Sequence, residues 1–223
     1  MPTKGGRSSS QQDYLKAVFH LARRGHRVQT TELARYLGVR KPSVTSMLKR
    51  LGRQGLVLYS PRQGVVLSRA GSAVAMRVVR RHRLVEAFLV RFLGLDWSEV
   101  HAEAEVLEHH LSDRMVEAID RALGHPTEDP HGHPIPDARG ALRERALEPL
   151  GGMRAGERGV VREVRTNDAL RLHRFKELGL VPGAKVAMRE RQEMEDVMHL
   201  GIGGRTVVTG SEGVEGVFVE RTR

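Results

Sequence analysis

The chain has no cysteine among its 223 residues, which excludes disulfides and thiolate metal ligands and suits a reducing, cytoplasmic setting. No apolar run approaches the ~18 residues of a membrane span. Residues 1–10 lack the apolar core of a signal peptide and read as a disordered arm. No internal repeat is present. Acidic residues are nearly missing from the first third: residues 1–91 hold 3 Asp/Glu against 19 Lys/Arg. Residues 92–140 reverse the balance, with 11 against 3, and the remainder is close to even, giving a formal charge of +10. Seven of the eleven histidines fall between His82 and His133. A basic first third joined to an acidic, histidine-rich middle points to polyanion binding at one end and cation binding beside it.

Residues 11–24 read as a helix with Leu15, Val18, Phe19 and Ala22 on one face, stopped by Gly25. A cap at Thr30 or Thr31 starts a short second helix to Leu37, and Pro42 opens a third that runs to about Arg53. Residues 56–59 and 65–67 form a β-hairpin, and Ser68 caps a long helix reaching about Leu93. Helix, short helix, turn, helix, hairpin is the order of a winged helix-turn-helix, here over residues 11–74. Its third helix is expected in the major groove of double-stranded DNA. Arg40, Lys41, Pro42, Ser43, Thr45 and Ser46 lie at its N-terminal end, and Lys49 and Arg50 follow one turn on. Short hydroxyls approach bases and phosphates closely, while the cations neutralise phosphates. Arg62 at the hairpin tip is placed to reach the DNA backbone or minor groove. The plainer alternative is a three-helix core with a basic surface.

The middle of the chain carries the metal chemistry. In His101-Ala-Glu-Ala-Glu105-Val-Leu-Glu108-His109, helical geometry gathers His101, Glu105, Glu108 and His109 within about a quarter-turn of one face. That helix is expected from a cap at Asp96 or Ser98 to about Leu111, followed by another over 113–123. On the preceding long helix His82 and Glu86 share a face at i, i+4, and antiparallel packing brings them toward His101. Glu105, Glu108 and His109 need at least one more ligand; Asp13, one of so few acids in the first third, is an attractive donor. Residues 125–136 are too rich in proline for a helix, and residues 137–150 read as a short helix and linker. From Gly151 onward, short apolar runs separated by glycines and charges suggest a small β-barrel interrupted by one helix over 167–178. The fold class is therefore mainly α with a small β part: a helical metal-binding and dimerisation domain at 75–140, a linker at 141–150 and the barrel at 151–223 follow the DNA-binding unit.

Asp13-Tyr14-Leu15, Pro42-Ser-Val-Thr45, Arg81-His-Arg-Leu84 with Glu86, Gly94-Leu-Asp96, Glu105-Val-Leu-Glu-His-His-Leu-Ser112 and His131-Gly-His-Pro-Ile-Pro136 occur in this order along nearly the whole chain. Together they resemble the diphtheria-toxin-repressor family of metal-dependent transcriptional regulators, including its manganese branch. The resemblance implies a primary metal site at Asp13, Glu105, Glu108 and His109, and an ancillary site at His82, Glu86 and His101. It also implies a C-terminal SH3-like, FeoA-type domain that can complete the ancillary site, with Asp168 as the candidate ligand and His173 as a weaker one. The barrel itself reads equally as binding the Pro134-Ile-Pro136 segment or as a stabilising appendage.

Iron regulators of that family resemble one another in using methionine and cysteine where Asp13 and Glu105 stand here. Hard oxygen donors favour Mn²⁺ over Fe²⁺, with Zn²⁺, Co²⁺ or Cd²⁺ expected to substitute in vitro. Lys16 replaces an acidic ligand of the manganese branch, which favours two separated sites over a close dinuclear cluster. The resemblance implies a cytoplasmic homodimer that binds a palindromic operator and represses metal-uptake genes when metal is plentiful. Val116, Ile119 and Leu123 are expected in the dimer contact. The competing readings are an iron-dependent repressor of the same family and a metal-independent winged-helix regulator. A di-metal oxidase lacks its second Glu-x-x-His motif, so no enzyme, small-molecule substrate or membrane partner is expected.

Overall fold

The computed structural model describes residues 9–22, 26–143 and 145–222. Most of the arm expected at the N-terminus, residues 1–8, and the helix stop expected at Gly25 lie outside these residues. The described residues fall into two compact units, one within residues 9–81 with 136–141 and the other within residues 82–135 with 142–222.

In the first unit, α1 (Ser9–Ala22), α2 (Thr30–Tyr36) and α3 (Lys41–Arg53) precede a hairpin of β1 (Val57–Ser60) and β2 (Gly64–Leu67). The hairpin is antiparallel, with Val57 opposite Leu67 and Ser60 opposite Gly64. Apolar positions at i, i+4 and i+7 of α3, namely Val44, Leu48 and Leu51, join Leu15, Val18, Leu33, Leu56 and Val65 in one core. The opposite side of α3 is left to hydroxyls and cations. The start of α2 differs from expectation. Gln29 precedes the helix, and its backbone N–H donates to the Glu32 carboxylate at 2.7 Å, so neither Thr30 nor Thr31 is the cap. Gly64 has φ +84°, and a Cβ there would lie 2.5 Å from Val28 O. That close approach lets Val65 exchange backbone hydrogen bonds with Val28, tying the wing to the segment before α2.

Ser68 caps α4 (Arg69–Leu93), accepting from Gly71 N at 3.0 Å and donating to Gly55 O at 2.6 Å. This 25-residue helix passes from the first unit into the second at His82. The helix expected from residue 137 does not form there. Asp137 instead accepts from Arg139 N and Ala141 N, each at 2.8 Å, and closes a tight turn.

The second unit contains the rest of α4 with α5 (Val100–Leu107) and α6 (Asp113–Ala122). α5 ends at Leu107, a turn earlier than expected. Ser112 caps α6 by accepting from Met115 N. One side of α4 packs Leu84 and Ala87 against Ile119, Leu123 and Ile135; the other packs Val85 and Leu89 against Val100 and Ala104. Ile119 and Leu123 are thus consumed inside the chain and are not a free dimer face. The Pro134–Pro136 segment is likewise held by the helices: Ile135 lies in their core, and Arg83 Nη1 donates to Pro134 O.

The remainder is a β module: β3 (Glu148–Pro149), β4 (Arg158–Val164), α7 (Ala169–Leu178), β5 (Lys185–Gln192), β6 (Val197–Ile202), β7 (Arg205–Thr209) and β8 (Val217–Thr222). Its antiparallel strands run in the order β3-β8-β4-β5-β6-β7, so β3 and β7 are the edges of an open SH3-like barrel. The expected linker supplies β3 itself. Val161, Phe175, Met188, Leu200 and Val219 fill the interior, joined by Trp97 from the segment before α5.

Candidate metal centre and nucleic-acid interface

In the second unit His82 and Glu86 are one turn apart on α4, and the 94–99 connection folds α5 back so that His101 meets them. His82 Nε2, Glu86 Oε1 and His101 Nδ1 lie 3.0, 3.1 and 3.2 Å from one another. On the other side of the same ring, His82 Nδ1 is 2.6 Å from Glu108 Oε2. A carboxylate only accepts, so Nδ1–H is the donor to Glu108. The Nε2 of a neutral His82 then turns its lone pair toward Glu86 and His101, and the three facing atoms require a proton or a metal ion among them. Mutual spacings near 3.1 Å match one face of an octahedron with bonds of about 2.2 Å. The residues therefore fit a divalent cation with hard, nitrogen and oxygen donors.

Glu108 is fully buried, and its Oε1 is 3.4 Å from His109 Nε2. Glu105, partly exposed, reaches to 3.8 Å from His82 Nδ1 and 3.5 Å from His101 Nε2. His82, Glu105 and Glu108 thus form a second group of converging donors. Burial pushes the Glu86 carboxyl up, but with a proton in place of a metal the charge of His82 and hydrogen bonds from His101, His131 and His82 outweigh it and hold the group well below the ordinary carboxylate range. Asp13 lies half-buried on α1 of the first unit.

Asp168 is not gathered with these groups. It is the N-cap of α7, its Oδ1 accepting from Leu170 N at 2.9 Å and from Arg171 N. His173, further along α7, is exposed and 3.8 Å from Glu177. The structure instead brings the 129–133 loop to the ancillary group. His131 Nδ1 is 3.8 Å from Glu86 Oε2. Burial disfavours a charged His131, yet the negative charge of Glu86 and Asp129 and the Trp97 carbonyl raise its pKa overall. Asp129, His131 and His133 also converge, but the Asp129 carboxylate is occupied in organising the loop. It accepts from His131 N, His133 N and His133 Nδ1, with Arg83 Nε 3.6 Å away. This loop carries no helical or strand period, so only its His-Gly-His spacing marked it in the sequence.

The DNA-facing candidates lie on the exposed side of α3. Arg40, Lys41, Pro42, Ser43, Ser46, Lys49 and Arg50 are exposed and Thr45 half-buried, while Arg62 is exposed at the hairpin turn. Lys41, Pro42, Thr45, Ser46 and Lys49 line one shallow groove; Arg53 and Tyr59, which the sequence did not single out, line a second with Ser46 and Lys49. Among the described residues no helix is long and apolar enough to cross a membrane.

A helix-turn-helix with a basic outer face and a helical unit with buried nitrogen and oxygen donors define the class of metal-responsive DNA-binding regulators. Family models agree on each part. That of the iron-dependent repressor N-terminal DNA-binding domain matches residues 8–65, that of the repressors' metal-binding and dimerisation domain residues 68–137, and that of the FeoA domain residues 148–221. The iron-dependent repressor IdeR of Mycobacterium leprae is 31% identical over 220 residues, covering 93% of this chain and 95% of its own. The diphtheria toxin repressor of Corynebacterium efficiens is 31% identical over 199 residues, or 85% and 86% of the two chains. A solved manganese-dependent transcriptional repressor in complex with manganese superposes with a TM-score of 0.88 at 36% identity, covering 95% of this chain and all of its own. The manganese regulator SloR gives 0.77 at 28% identity over 95% and 98%. The chain belongs to the diphtheria-toxin-repressor family of iron-dependent repressors: it is a metal-dependent, DNA-binding transcriptional repressor and not an enzyme.

Proposed function

We propose that this repressor responds to Mn²⁺ in preference to Fe²⁺ and silences metal-uptake genes from a palindromic operator, as a homodimer. The observation that carries the reading is the donor chemistry: His82, Glu86 and His101 converge at coordination spacing, and Glu105, Glu108 and His109 continue the set without any sulfur. Oxygen and imidazole donors suit manganese, whereas a softer donor would shift preference to later metals. The solved manganese-dependent repressor, similar over its whole length, supports the same choice.

In this reading Asp13, Glu105, Glu108 and His109 hold the activating ion, and His82, Glu86 and His101 hold the ancillary one. The ion supplies the positive charge that lets an aspartate from the DNA-reading unit rest beside two glutamates of the metal-binding unit. Asp13 fixes α1; Glu108, already hydrogen-bonded to His82, joins the two sites. With α1 fixed, two recognition helices of a dimer are held at ~34 Å or a multiple, the spacing of successive major grooves. Linkage is reciprocal, so operator DNA tightens metal binding by the factor by which metal tightens DNA binding.

Anaerobic titration of operator binding with Mn²⁺ and with Fe²⁺ tests this. Half-activation at a lower free Mn²⁺ concentration is expected, and equal or lower free Fe²⁺ overturns the preference. Asp13→Ala is expected to remain a folded dimer and to lose metal-stimulated binding. Normal stimulation in that variant overturns the bridge.

A further inference from the structure

The wing of the first unit ends in a short turn. β1 and β2 pair from Val57 and Leu67 up to Ser60 and Gly64, and beyond that last pair Gln63 N donates to Ser60 O at 3.2 Å to close the turn that carries Arg62. A two-stranded hairpin is marginal in water by itself. The direction in which this turn holds Arg62 therefore depends on what grips the hairpin from outside.

Two grips come from the segment before α2. The backbone exchange between Val28 and Val65 holds the hairpin on its β2 side. The second grip is a side chain. Arg27 Nε donates to Gln63 O in the turn at 3.1 Å, and Arg27 Nη2 donates to Leu58 O on β1 at 3.5 Å. One guanidinium thus spans the turn and the strand that leads into it. Its rigid fork of donors can hold two carbonyls at once, whereas an ammonium is a compact point charge on a flexible stem. Arg27 is exposed, like the cations of α3. An exposed cation beside a DNA-facing surface reads first as one more phosphate contact, but here two of its donors are turned to the wing.

We propose that Arg27 is a positioning residue of the DNA interface: by bracing Leu58 and Gln63 it aims Arg62 at the DNA backbone, and it acts on DNA affinity through Arg62. This rests on the reading of Arg62 as a DNA contact. Leu58 is exposed and lies outside the core of the first unit, so the brace bears on the wing and leaves the packing of α1, α2 and α3 intact. An aimed Arg62 neutralises one phosphate and releases its counterion, which is worth about one unit in the slope of log affinity against log salt.

The test is a double-mutant cycle on the full, Mn²⁺-loaded chain, with a DNA duplex selected from random sequence for binding to the unaltered protein. Affinity is measured against salt for Arg27→Lys, Arg62→Ala and the double variant. Arg62→Ala lowers the slope by about one unit. Arg27→Lys lowers it as well, although the charge is kept, and adds no further loss once Arg62 is gone. In the DNA-free protein Arg27→Lys speeds amide hydrogen exchange at Gln63 while α3 keeps its protection. A full slope in Arg27→Lys beside a lowered one in Arg62→Ala overturns the brace. Losses that add in the double variant also overturn it, since they make Arg27 an independent DNA contact, and so does unchanged exchange at Gln63. A full slope in Arg62→Ala itself sinks the wing contact, and the positioning role falls with it.

Discussion

Glu86 is ionised in a buried site because imidazoles surround it, and this sets how the metal-free protein responds to acid. Its folded pKa lies below the unfolded value, so its stabilising contribution is complete above the ordinary carboxylate pKa of about 4.3 and is lost as pH falls through the lower folded value. Glu86→Gln should cost roughly 2 kcal/mol at pH 7 in denaturant titrations, and the difference from the unaltered chain should shrink toward pH 3. A difference that grows on acidification would reverse the assigned sign. Much of this site was legible: the i, i+4 pair of His82 and Glu86 and the one-faced set from His101 to His109 follow from helical geometry alone. Asp129 was not, and His131 stood out only through its His-Gly-His spacing, because a loop has no period to mark which side chains turn inward. Asp168 reads in hindsight as a cap, since an aspartate directly before an Ala-Leu-Arg helix start satisfies two backbone N–H groups.

α3 shows how an element divides its labour. Val44, Leu48 and Leu51 anchor it, while Arg40, Lys41 and Lys49 remain exposed. Each cation that contacts a phosphate contributes about one unit to the slope of log affinity against log salt. Lys41→Ala should lower that slope by about one unit and weaken binding to all sequences alike. An unchanged slope removes Lys41 from the phosphate contacts. The elements themselves were readable wherever apolar spacing was regular, with ends shifted by a few residues. Within 137–150, Ala-Leu-Arg-Glu-Arg has helical composition, yet the described residues from 137 to 147 form no helix. What decides it is local: Asp137 captures two backbone N–H groups, Gly140 takes φ +83°, and residues 148–149 find a place beside β8.

For the whole molecule, the change of composition near Gly151 announced the β module, but not that its core reaches back to Trp97, a contact between residues far apart in sequence. With Ile119 and Leu123 buried within the chain, the contact of the proposed homodimer falls to other apolar residues. Phe92 and Leu93, at the end of α4, are 52% and 57% exposed, with Phe92 stacked on Phe88. Phe92→Glu should raise the dimer dissociation constant tenfold or more, the size of a hot-spot loss of about 2 kcal/mol; sedimentation showing an unchanged dimer would place the contact elsewhere. Finally, the donors around Glu86 and Glu108 are carboxylates and imidazoles throughout. Peroxide finds no thiol there to carry to a sulfenic acid. Oxidative stress that blinds a thiolate-based sensor would leave this one still counting its ions.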